Sequence, residues 1–94
     1  MKYRNLNRKR VQIYRVTLNE QFSDHFLINP DYIHENELLF SYIDNKSIVE
    51  KKVPVKAIVP YLKVRKFFGR DPETLRSKYN GYAYEIPSDI IIRY

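Results

Sequence analysis

The sequence predicts an α+β fold: a small, mostly antiparallel β-sheet with a central hairpin (about 37–53) and two or three short helices. Three observations carry that expectation. Apolar and polar residues alternate on either side of Asp44-Asn45, the signature of two paired strands around a turn. Helix-end residues cluster between Pro60 and Gly81. β-Branched and aromatic residues crowd positions 11–18 and 82–94, which reads as strand at both ends of the chain.

The elements follow in order. Residues 1–10 have no apolar periodicity and five basic side chains, so they read as a basic arm preceding a single α+β domain over 11–94. Residues 11–18, VQIYRVTL, form the first strand, with Val11 and Ile13 on one face and Tyr14, Val16 and Leu18 on the other. Leu18, Phe22 and Phe26 then recur every four residues behind Asn19, a pattern that favours a short helix over 19–28. Asn29-Pro30-Asp31 breaks the chain, and 32–36 is a polar connection. Residues 37–43 and 48–53 pair as the central hairpin, because Asp44 and Asn45 tolerate the positive φ of a tight turn and Pro54 cannot donate to a ladder.

Past Pro60, Tyr61, Val64, Phe67 and Phe68 share one arc of a helical wheel, and Lys63 and Lys66 fall opposite. Gly69 closes that helix, since glycine takes the left-handed conformation that ends a helix. Asp71 and Pro72 are the N-cap and first position of a second helix, with Glu73 at the positive dipole end and Asn80-Gly81 as its stop. The tail, YAYEIPSDIIIRY, reads as strand, break at Pro87-Ser88-Asp89, and strand.

Composition narrows the function. The 94 residues make one small domain whose 44% hydrophobic content suffices for one core. With no cysteine there is no disulfide framework, thiol nucleophile or Cys-based zinc site. No apolar run approaches the roughly 18 residues of a membrane span, and the basic start is not followed by the apolar core of a secretion signal. A cytoplasmic protein with no membrane partner is expected. Residues with AT-rich codons (Phe, Tyr, Met, Ile, Asn, Lys) number 41 against 17 for those with GC-rich codons (Gly, Ala, Arg, Pro), a bias associated with phage and mobile-element proteins.

Net charge is +6, laid out in blocks. Residues 1–19 carry six bases and 51–70 carry seven, both without an acid, and between them 20–50 carries seven acids against Lys46. Acid-free basic blocks of this kind are the electrostatic footprint of a polyanion binder. The expected partner is therefore nucleic acid, and the expected role is that of an accessory or regulatory protein.

The run FFGRDPETLR, from Phe67 to Arg76, resembles the helix-turn-helix of the MerR and excisionase families. There a helix ends in two large apolar residues and Gly, and a Ser-Pro-Glu-Thr-Leu-Arg-like run opens the recognition helix. The resemblance implies that Arg76, Ser77 and Asn80 face the major groove, where Arg and Asn suit bidentate contacts to guanine and adenine. It also implies that Lys63, Lys66 and Arg70 hold phosphates, and it favours DNA over RNA. The basic blocks add Arg4, Arg8, Lys9 and Arg10 in the arm, with Lys51, Lys52 and Arg65, to the expected binding set.

Catalysis is not expected. His25 and His34, with Asp24, Asp31, Glu35 and Glu37 nearby, lack the spacing of a metal motif and read as ordinary loop residues. Gly69 and Gly81 alone build no phosphate loop, and no serine has a recognisable base. No cofactor is expected. The alternative is a protein-binding module that docks on a host factor through the acidic 20–50 segment and the aromatics Phe22, Phe26, Tyr32 and Tyr42. A third reading is an oligomer, a dimer included, assembled along an unpaired strand edge.

Overall fold

The computed structural model describes residues 12–66 and 82–94, and these form two three-stranded sheets packed on one core. The expected single sheet with two or three helices is corrected: among the described residues the protein is mostly β, and its longest α-helix has six residues.

The first sheet has the order β1-β3-β4, from β1 (Ile13–Thr17), β3 (Glu37–Asp44) and β4 (Ser47–Pro54). The β3–β4 hairpin is the expected one. Asp44 pairs with Ser47, leaving a two-residue loop in which Asn45 (φ 50°) and Lys46 (φ 68°) are both left-handed. Positive φ at both central positions is the type I′ pattern, whose twist matches that of the flanking strands. Strand β1 runs parallel to β3, with Val16 opposite Phe40. The register places Tyr14, Val16, Leu38, Phe40, Tyr42, Val49, Lys51 and Val53 on one face, and the apolar members of that face enter the core.

The chain leaves β1 through a corner. Leu18 makes an isolated antiparallel bridge to Phe26, and a 3-10 turn at Glu20–Phe22 leads into β2 (His25–Ile28). The helix expected over 19–28 is therefore absent. Its four-residue spacing was outweighed by burial on both faces: Phe26, Leu27 and Ile28 are consecutive and all buried, which a strand in the middle of packed layers permits. Asn29 then accepts a hydrogen bond from the Asp31 amide (2.9 Å), opening a 3-10 helix at Pro30–His34.

The second sheet has the order β2-β6-β5, all antiparallel, with β5 at Lys63–Lys66 and β6 at Tyr82–Pro87. This overturns the helix expected to run on from Pro60. One turn of helix α1 (Val55–Ile58) and a 3-10 turn (Val59–Tyr61) come earlier, and Lys63–Lys66 is extended. Pairing with β6 decides the matter, a partner that a helical wheel does not contain.

The strand expected after Pro87 is instead helix α2 (Ser88–Arg93). The Ser88 amide donates to the Asp24 carbonyl (2.8 Å) and Ile91 is fully buried, while Ile92 faces outward. Phe26 from the second sheet meets Phe40 and Tyr42 from the first edge to face, at centroid distances of 5.0 and 6.4 Å, and this aromatic contact is the centre of the core. The arm at 1–10, the second expected helix at 71–80 and the FFGRDPETLR run lie outside the described residues.

Candidate nucleic-acid interface

Several of the basic side chains expected to bind are committed to the fold. Lys51 sits on the inward face of β4, and its Nζ donates to the carbonyls of Ile91 (3.2 Å) and Ile92. The last carbonyls of a helix lack the usual partner one turn on; that of Ile91 accepts from the Tyr94 amide (3.1 Å), and Lys51 reaches both it and that of Ile92 at the negative end of the dipole. Lys51 therefore caps the end of α2, a contact with the fold that the sequence did not show.

Arg65 is committed too. Its guanidinium lies 4.2 Å from the ring centroid of Phe22, and Nη1 stands 3.2 Å from Oε2 of Glu85, the one buried acid among the described residues. The contact is at ion-pair distance but off hydrogen-bond alignment, so Oε2 accepts no hydrogen bond. Removing Arg65 from this place would strand a carboxylate that is 7% exposed. Arg15 pairs with Glu50 across the outer face of the first sheet, and Arg93 with Asp89 one turn away on α2.

Lys52, Lys63 and Lys66 are exposed, and no ion pair among the described residues engages them; Lys56, on α1, is exposed as well. Lys52 belongs to the first sheet, and Lys63 and Lys66 stand on opposite faces of β5 in the second. Arg4, Arg8, Lys9, Arg10, Arg70, Arg76, Ser77 and Asn80 lie outside the described residues.

The charge balance is sharper than the sequence blocks implied. Residues 12–66 and 82–94 contain nine basic and nine acidic side chains, a neutral body. The whole excess of +6 belongs to residues 1–11, with five bases and no acid, and to residues 67–81, with three bases and two acids.

Strand β5 brings one further feature into view. Lys66 is the cross-strand partner of Tyr82, and Val64 that of Tyr84, so these four share a face of the sheet. Tyr82 is 41% exposed and Val64 is 61% exposed, whereas Phe26, Ile28 and Ile86 on the same face are buried in the core. The opposite face carries Lys63, Arg65, Leu27, Ala83 and Glu85. Tyr82 was not singled out from the sequence, because its pairing with Lys66 exists only once β5 is a strand. Residues 67–81 join the two members of this pair.

The acidic half of the chain offers less than expected for a protein partner. Phe26 and Tyr42 are core residues, and Phe22 and Tyr32 are half-buried, Tyr32 stacked on Tyr14 at 4.0 Å. His25 is half-buried in β2 and His34 is exposed, and no group of three or more metal-ligating side chains occurs among the described residues. No described helix is long and apolar enough to cross a membrane. No protein-family model matches the chain, and neither a curated protein nor a solved structure matches it significantly.

Proposed function

We propose that this chain is a small nucleic-acid-binding accessory or regulatory protein, of phage or mobile-element origin, that acts by binding and not by catalysis, with DNA favoured over RNA. The observation that supports it is the segregation of charge. Across residues 12–66 and 82–94 bases and acids balance, and the arginines and Lys51 there have protein partners, while residues 1–11 hold five of the six excess charges. Residues 1–11 alone carry five bases and no acid, a local excess of cations that favours contact with phosphates. The resemblance of 67–76 to a groove-reading motif points the same way.

The test is binding to a generic duplex as salt is raised. Affinity is expected to fall steeply, and Lys63→Ala with Lys66→Ala to lower the slope by about one unit per lost phosphate contact. No binding at low salt, or a flat response, overturns the proposal.

A second reading, a module that docks on a host protein, is favoured by one observation. Ile43 and Ile48 are direct cross-strand partners at the end of the hairpin and are 73% and 72% exposed. Contiguous exposed apolar surface marks contact sites, and these two side chains are adjacent. Capture of a host protein that survives nuclease and high salt, and is abolished by Ile43→Ser with Ile48→Ser, would favour this reading over the first.

A further inference from the structure

We infer that the Lys66–Tyr82 face of the second sheet is a stacking site for an unpaired base, which makes the protein prefer single-stranded nucleic acid to duplex at this surface. The inference rests on the nucleic-acid reading above and adds the form of the ligand.

The geometry comes from the β5–β6 register. Directly paired residues of an antiparallel ladder have Cβ atoms about 5 Å apart on one face, so the side chains of Lys66, which ends in an ammonium, and Tyr82 leave the sheet side by side. A base laid on the ring keeps its own phosphate within reach of that ammonium. Val64 extends the apolar surface beside them, at the margin where the core no longer covers the sheet.

Charge selects this face over its reverse. On the reverse, Lys63 stands opposite Glu85 in the register and Arg65 is held by Glu85 and Phe22. The face with Lys66 and Tyr82 carries Phe26, Ile28, Val64, Tyr84 and Ile86, and no acid from any of the three strands. A polyanion is attracted there, and an aromatic surface awaits its bases. In a duplex the base faces are already stacked on one another, so only a single strand can use the ring.

The experiment measures binding of an oligothymidine of about 16 nucleotides and of a duplex of the same length to the full chain and to Tyr82→Ala, Tyr82→Leu, Tyr82→Phe and Lys66→Ala. Tyr82→Ala and Tyr82→Leu are expected to weaken single-strand binding about tenfold, with no change in duplex binding or in salt slope. Tyr82→Phe keeps the ring and is expected to bind as the parent does. Lys66→Ala is expected to lower the slope by about one unit. Circular dichroism confirms that each variant is folded, and the leucine variant keeps apolar bulk where alanine does not.

Single-strand binding that is indifferent to the ring, or a loss shared equally by duplex and single strand, overturns the stacking site and leaves the broader reading standing. Competition by polyaspartate as strong as that by oligothymidine also overturns it, because that polymer has charge without bases. Absence of binding to either nucleic acid at low salt brings down both.

Discussion

Lys51 and Lys66 are both lysines of one acid-free block, and the fold gives them opposite duties. Lys51 ties the end of α2 to β4 through two carbonyls, while Lys66 stands exposed at the end of β5. Lys51→Ala is expected to lower unfolding free energy by about 2 kcal/mol, as for hydrogen bonds from a charged donor, and to leave nucleic-acid affinity within about twofold. Chemical denaturation and a binding titration on the same variant check both halves. Arg65 makes a related case. Arg65→Ala leaves Glu85 buried without its counterion and is expected to cost about 2 kcal/mol, less than for a wholly buried pair because the arginine is two-fifths exposed. Adding Glu85→Leu to that variant is expected to restore most of the loss; a double variant no more stable than Arg65→Ala contradicts the account. None of this was legible in the sequence. A run of basic residues shows charge, but which of them are spent on the fold depends on partners 40 positions away for Lys51 and 20 for Arg65.

At the scale of elements, legibility followed locality. The β3–β4 hairpin declared itself because alternation and turn residues lie within one short stretch, although the left-handed pair proved to be Asn45 and Lys46, one position beyond Asp44-Asn45. Strand β1 was equally visible in its β-branched and aromatic content. Strand β5 was not, because Tyr61, Val64, Phe67 and Phe68 satisfy a helical arc while the β6 partner lies beyond residue 81. Helix α2 was hidden by its isoleucines: three β-branched residues favour a strand locally, but the Asp24 carbonyl at its start and Lys51 at its end hold six residues as helix. The turn itself yields a prediction. Lys46 pays the steric cost of φ 68°, which glycine avoids. Lys46→Gly is expected to stabilise the protein by about 1 kcal/mol, raising the melting temperature by about 4–8 °C, with thermal denaturation as the readout.

On the scale of the whole molecule, the two sheets meet through Phe26, Phe40 and Tyr42. Phe40→Ala is expected to cost about 3–5 kcal/mol, a large share of the roughly 5–15 kcal/mol that holds a domain folded, and chemical denaturation reads it directly. The sequence revealed that the chain was basic and where its bases lay, but not which of them, such as Lys51 and Arg65, the two sheets would engage. That required knowing which residues build them. The consequence is specific: removal of the arm should weaken binding without unfolding the sheets. The most direct measurement is the salt dependence of duplex binding for the full chain and for a variant lacking residues 1–10. The account predicts that the variant keeps its circular dichroism spectrum, binds more weakly at low salt, and loses up to about four units of slope as its five bases are withdrawn from phosphates. A truncated variant that is folded and binds with the parent's affinity and slope would contradict it.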